Sequence, residues 1–397
     1  MDPIFCPPTV SKPMQLLKNS GYSILSGIIA GLSTALLLHL LDQVTHWREM
    51  YPPLVWGLPL VGVLIVWSYR HYGHNTDKGY RLILDEIHDP KQTLPLRMSP
   101  FILISTLATH LFGGSAGREG TAVQMGASLS DAVGKQLGIS AQARTTFLMT
   151  GAAAGFGAAL GTPLAGMVFG MEVLYKKGLR ISAWYPCLIA SLVAYAIGHL
   201  LKVTHTPYSP PMIPDISLRL LVMIVVAGLC FGGIARLFIH STHALSRRLG
   251  TGLRAPLIGG CLVLVIYAIV GHLRHAGLGL PVIQDALQTP LSFWDPFYKF
   301  ILTCITLGSG FKGGEFTPLV FIGSTFGNAL APFLSLPHSF MAALGFAAVF
   351  GAAANTPMAC AVMAAEIFGW TFFPYVLVCT YVAYWASGTH GIYAGQR

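Results

Sequence analysis

Two glutamates sit in glycine-rich turns inside otherwise apolar stretches: Glu119 in Gly117-Arg118-Glu119-Gly120-Thr121, and Glu315 in Gly313-Gly314-Glu315-Phe316-Thr317. A carboxylate in a membrane segment costs about 2.5–3.5 kcal/mol on insertion scales, so it needs compensation. The glycines expose backbone N–H groups, and a helix beginning near Thr121 or Thr317 points its positive end back at the turn. Such a turn is an anion site. An ionised Glu119 fills it as a tethered anion; a protonated Glu119 would leave it and admit a free one.

The two turns also share a pattern, Gly-x-Glu-x-Thr, at an offset of 196 residues. A second pair lies nearly in register. Thr162-Pro163 is followed by Glu172 and Thr356-Pro357 by Glu366, and the two glutamates are 194 residues apart. Two matches in register indicate one duplication. Repeated apolar halves broken by glycine at matching positions point to a site at the repeat interface. The flanks differ in charge: Lys176, Lys177 and Arg180 follow Glu172, whereas no basic residue other than His390 follows Glu366 before Arg397. Opposite flanks are what inverted repeats produce. Glu172 and Glu366 each close an apolar segment and read as structural anchors, Glu172 pairing with Lys176 or Lys177.

The elements that must hold these turns are set by composition. Of 397 residues, 54% are hydrophobic and only 10% charged, which excludes a soluble or disordered chain. The net charge of +9 is concentrated in short loops, Arg70 to Arg97, Lys176 to Arg180 and Arg247 to Arg254. By the positive-inside rule these are cytoplasmic, as is the N-terminus with Lys12 and Lys18, so the charge reports topology and not nucleic acid. Several apolar runs are too short to cross a bilayer alone, and the long runs 145–175 and 339–368 are interrupted at Gly161-Thr162-Pro163 and Asn355-Thr356-Pro357. Broken helices at membrane depth are tolerated only where they are buried in protein or line a cavity. The expected organisation is a cytoplasmic segment 1–19, a first membrane repeat 20–202, a proline-rich exposed connector 203–217 and a second repeat 218–397. The seven cysteines are scattered without CxxC spacing, and His71 and His74 lack acidic or cysteine partners, so neither a metal nor a cofactor is expected.

Gly-Arg-Glu-Gly-Thr at 117–121, after Gly113-Gly114, resembles the gating-glutamate motif of the CLC family of anion channels and antiporters. The stretch from Gly310 to Pro318 is similar to the second anion-binding loop of that family, and Gly391-Ile392-Tyr393 to its C-terminal tyrosine. The resemblance runs from about residue 20 to 395. It implies an all-α polytopic membrane protein in which two inverted-topology repeats of broken, tilted helices form one pore domain, assembled as a homodimer.

The departures from the chloride-type pattern single out a branch. Thr121 replaces the usual proline. The Gly-Ser-Gly-Ile-Pro string is missing, with Asn75-Thr76-Asp77-Lys78-Gly79-Tyr80 in its region, so Tyr80, Asn75 or Thr76 takes the place of the central serine. Glu315 stands where chloride-type members have an apolar residue, and the inner proton-transfer glutamate falls on Val173. These features resemble the bacterial CLC-F fluoride/proton antiporters. A small, strongly hydrated anion needs many donors to replace its water. The candidates are the backbone amides of Arg118, Glu119, Gly120, Phe316 and Thr317 and the hydroxyls of Thr317, Tyr393 and Tyr80, with Phe316 able to offer an electropositive ring edge. Glu119 is the candidate gate and proton carrier; Glu315, protonated in its loop, is an accessory donor.

The resulting expectation is export of fluoride from the bacterial cytoplasm across the inner membrane in exchange for inward protons. The alternative within the fold is a chloride/proton antiporter or chloride channel. An intramembrane enzyme is disfavoured because no HExxH or GxSxG set is present.

Overall fold

The computed structural model describes residues 12–175 and 178–396, so Lys176 and Lys177, the partners expected for Glu172, lie outside the described residues. Among the described residues the chain forms 16 α-helices and four short 3-10 turns, with an isolated β-bridge in place of any sheet. The first repeat contains α1 (Lys12–Met50), α2 (Leu58–Tyr72), α3 (Tyr80–His88), α4 (Met98–Leu111), α5 (Glu119–Gln136), α6 (Ala141–Leu160), α7 (Pro163–Glu172) and α8 (Trp184–Leu200). The second contains α9 (Leu218–Leu249), α10 (Arg254–Val270), α11 (Leu280–Ala286), α12 (Asp295–Gly308), α13 (Phe316–Leu334), α14 (His338–Ala354), α15 (Pro357–Phe368) and α16 (Phe373–Ser387). The run α4–loop–α5–α6–α7–α8 recurs as α12–loop–α13–α14–α15–α16. These are the inverted repeats of one pore domain.

The breaks fall where local chemistry demands them. Helix α6 stops at Gly161, held left-handed at φ 75°, and α14 stops at Asn355 with φ 57°, the two residue types that adopt this conformation most readily. A proline then opens the next helix in each repeat, where its missing N–H costs nothing. Among the described residues five helices are long and apolar enough to cross a membrane, among them Pro52–Tyr72 and Phe316–Leu334. Others, such as Met98–Leu111 and Pro357–Phe368, are apolar but shorter.

Packing at the centre uses small residues. A Cβ at Gly126 of α5 would run into the Gly151 carbonyl of α6, and one at Gly323 of α13 into the Gly345 carbonyl of α14. In lipid, helices gain little from hydrophobic exclusion, and close backbone approach through small side chains replaces it. The two glycine pairs occupy equivalent positions in the two repeats. They bring α5 and α13, the helices that start at the glutamate turns, into the core.

Candidate functional site

The two glutamate turns meet. The Gly117 amide donates to the Gly314 carbonyl at 2.6 Å and the Gly314 amide to the Gly117 carbonyl at 2.8 Å, closing an antiparallel bridge between the repeats. Glycine is required here because a Cβ at Gly117 would stand 3.0 Å from the Gly314 carbonyl and the Thr317 amide. Helix α12 braces the junction: the Ser115 hydroxyl lies 2.8 Å from that of Thr303, and the Ser115 amide donates to Thr306 Oγ1 at 3.2 Å. On the other side Thr121 pairs with Thr106 of α4 at 2.8 Å. Both helices begin slightly earlier than the sequence suggests, α5 at Glu119 and α13 at Phe316.

Across this junction the Glu119 carboxylate reaches α13. Thr317 Oγ1 donates to Glu119 Oε1 at 2.9 Å or to Oε2 at 2.7 Å, and the Arg118 amide reaches Oε2 at 3.2 Å. Arg118 Nε lies 3.5 Å from Oε1 and has no hydrogen-bond partner of its own. Glu119 and Thr317 are each 2% exposed, so the pair is desolvated. A carboxylate bound by a threonine hydroxyl at a helix start lies where the positive helix end and its N–H groups favour negative charge.

The remaining sequence-chosen residues divide between two cavities. The larger, about 710 Å³, is lined by Gly120, Glu315, Tyr80 and Tyr393 and by Arg70, Lys78 and Arg81 of the basic loops. Tyr80 and Tyr393 stack at 4.2 Å between ring centroids. Of the other two serine substitutes, Thr76 spends its hydroxyl on the Gly73 carbonyl and Asn75 is exposed and outside the cavity wall. The smaller cavity, about 40 Å³, is lined by Arg118, Glu119, Phe316 and Thr317. The Phe316 ring sits among aromatic neighbours, 4.6 Å from Phe350 and 5.6 Å from Phe156 between centroids. Glu119 lines the smaller cavity and its neighbour Gly120 the larger, and Phe316 and Glu315 divide in the same way.

With this geometry in view, comparison with known proteins is informative. The family model for the voltage gated chloride channel matches residues 61–388. A "Chloride/fluoride channel protein" of Pseudomonas syringae pv. tomato is 44% identical over 384 residues, covering 94% of this chain and 85% of that protein. The crystal structure of a CLC-type fluoride/proton antiporter superposes with a TM-score of 0.94 at 31% identity, covering 98% of this chain and all of that one. This chain belongs to the CLC family. A slow cyanobacterial Cl⁻/H⁺ antiporter, at 21% identity and TM-score 0.81, shares the fold of this CLC protein.

Three features of this CLC chain were not read from sequence. The first concerns Glu172 and Glu366, expected as interfacial anchors. Each instead caps the broken helix of the opposite repeat. Glu172 accepts from the Met358 and Ala359 amides at 3.0 and 2.7 Å, and Glu366 from the Leu164 and Ala165 amides at 3.0 and 2.7 Å. The shared Thr-Pro…Glu spacing was the available signal, but it cannot reveal that the caps cross. The second is the anchoring of Tyr393. Gln396 donates to the Val173 and Ala354 carbonyls at 3.0 and 2.7 Å and accepts from Asn355 at 2.8 Å, while the Ile392 amide donates to the Ala353 carbonyl at 2.8 Å. The third is the connector. Residues 203–217, expected to be an exposed join, are mostly exposed or part-exposed, but His205, Thr206 and Tyr208 also stand in the wall of the smaller cavity.

Proposed function

We propose that this CLC protein is a secondary active transporter that exports fluoride in exchange for protons. The observation that carries this reading is the Glu119 carboxylate, buried on the Thr317 hydroxyl in the wall of the smaller cavity and one residue from Gly120 in the wall of the larger. In this position it blocks the path and occupies the donors a free anion would use. A proton on Glu119 removes the charge that holds it there, and the vacated Thr317 hydroxyl and loop amides then accept fluoride. Return of the carboxylate expels the anion, so proton and anion alternate on one set of donors. Family membership and the fluoride/proton antiporter that shares nearly the whole chain support the same chemistry.

The basic residues around the larger cavity make it the cytoplasmic vestibule by the positive-inside rule, with the smaller cavity toward the outside and the N-terminus in the cytoplasm. The protein then resides in the bacterial inner membrane, as a homodimer in keeping with the family. Tyr80 and Tyr393 guard the vestibule end, with Glu315 in the same wall as an accessory donor. Chloride is disfavoured because a carboxyl group and close hydroxyl donors suit a small, strongly hydrated anion better than a large one.

The test is transport in proteoliposomes with a pH gradient as the only driving force. Fluoride should accumulate against its own gradient, and it should outrun chloride by more than tenfold, a difference of about 1.4 kcal/mol. Equal fluxes of the two anions would move the protein to the chloride alternative, and fluoride flux indifferent to the pH gradient would make it a channel.

A further inference from the structure

We propose that the connector between the repeats is the outer lid of the anion path, with the Thr206 and Tyr208 hydroxyls as the donors that meet an anion once it has left Glu119. This rests on the transport reading above and extends it to a segment that reading leaves without a role.

Residues 203–217 form no regular secondary structure and contain Pro207, Pro210, Pro211 and Pro214, a composition that suits a loose join. The structure shows a latched segment instead. His205 Nε2 lies 2.9 Å from the Ala158 carbonyl, Gln284 Nε2 donates to the Pro207 carbonyl at 3.0 Å, and the Met212 amide donates to Ser339 Oγ at 3.1 Å. Ala158 is in the last turn of α6, where carbonyls lack helical partners, so His205 satisfies a group the broken helix leaves open. The ring also lies over Gly161, where a Cβ would stand 3.0 Å from it. Tyr208 sets its ring edge-on to Phe346 at 5.2 Å between centroids. Contacts to α6, α11 and α14 thus tie the segment to both repeats.

These latches place His205, Thr206 and Tyr208 opposite Arg118, Glu119 and Thr317 around the 40 Å³ cavity. That volume holds on the order of three water-sized occupants. An anion inside it must shed most of its hydration and recover donors from the wall. The inner wall offers Thr317 and Arg118, and the lid offers two hydroxyls. The vestibule on the other side, about 710 Å³, imposes no such dehydration. Passage under the lid is therefore the narrow step, and the part-exposed Gln284–Pro207 latch sets how readily the lid lifts.

The experiment compares fluoride efflux from proteoliposomes, read with a fluoride electrode, alongside proton flux. A Thr206→Val/Tyr208→Phe double variant keeps side-chain shape and the Tyr208 ring packing while removing both hydroxyls. Its fluoride flux should fall about tenfold with the proton-to-fluoride ratio unchanged. Gln284→Leu, which touches the latch and not the cavity, should change turnover by at least twofold with the ratio again unchanged. In a third arm, Thr206→Cys is treated after reconstitution with a membrane-impermeant thiol reagent from outside, with treated wild type as control. Reagent should block its flux, and because labelling follows folding this arm does not depend on the stability of the double variant. Double-variant flux within twofold of wild type, or a labelled Thr206→Cys that transports normally, overturns the lid. Failure of the antiporter reading would show separately, in wild-type protein whose anion flux ignores the pH gradient, and the same three arms would still report on the lid through that flux.

Discussion

At two levels of the molecule a carboxylate from one repeat reaches the helix start of the other. At the central junction Glu119 meets α13; its hydrogen-bond partners are one hydroxyl, from Thr317, and one amide, from Arg118, with the Arg118 Nε 3.5 Å away. At the Thr-Pro breaks Glu172 meets α15 and Glu366 meets α7, each taking two backbone amides. Both arrangements exploit the positive end of a helix dipole. They differ in what departure of the carboxylate would leave behind. A threonine hydroxyl and glycine-flanked amides can be satisfied by a visiting anion, because two cavities adjoin them. The amides of Met358 and Ala359 are tied by a bidentate cap that also joins the repeats. On the proposed mechanism the first carboxylate is exchanged during transport and the other two stay. The crossed caps tie the two repeats together around the Glu119 junction.

Breaking the exchangeable member should have the largest effect. Glu119→Gln cannot cycle a charge, so proton flux linked to fluoride should be lost completely in paired proton and fluoride electrode recordings. Glu172→Gln and Glu366→Gln should retain coupled transport at a wild-type proton-to-fluoride ratio. Loss of coupling in either of those would erase the distinction between the two kinds of pair.

Breaking a fixed member should show in stability. Glu172→Ala leaves the buried Ala359 amide and the part-buried Met358 amide without a partner, at about 1–3 kcal/mol for each unsatisfied group, so thermal unfolding in detergent should reveal a loss of about 3 kcal/mol. Glu366→Ala should cost less, about 1–2 kcal/mol, because Glu366 is only part-buried and water can replace the carboxylate. A reversed order would show that the caps are not governed by burial.

The smallest effect sharpens the comparison at the shared donor. Thr317→Val removes the hydroxyl that holds Glu119 and that the proposed exchange gives to the anion in its place, and should weaken fluoride binding about five- to tenfold, or about 1–1.4 kcal/mol, by calorimetry. Thr317→Ser, which keeps the hydroxyl, should bind within about twofold of wild type.

Much of this was legible in the residues. The Gly-x-Glu-x-Thr turns and the Thr-Pro breaks are local motifs whose backbone needs are written in their own glycines and prolines, and they were found at the positions the structure uses. Local chemistry also accounts for the helix stops at Gly161 and Asn355. What local chemistry leaves open is partnership. Glu366 is read as an anchor because Leu164 and Ala165, the residues it caps, are about two hundred positions away and offer only backbone amides, which every residue carries. The contacts of the connector were not legible for a related reason. Its prolines describe a chain without regular structure, and that is accurate, but where such a chain lies depends on the open carbonyl of Ala158 and the side chains of Gln284 and Ser339.

The sequence by itself determined that this is a membrane protein of two repeats, with acids in glycine turns that suit an anion, because composition, period and spacing are properties of the chain alone. Only the tertiary structure decided that Glu119 rests on Thr317, that Tyr80 stacks on Tyr393 and that Glu172 and Glu366 cross between repeats. The physical reason is that inverted repeats bring helix starts together from opposite ends of the chain. Which donor meets which acceptor is then fixed by packing at close range, through the glycine contacts of α5 with α6 and of α13 with α14, and not by distance along the sequence.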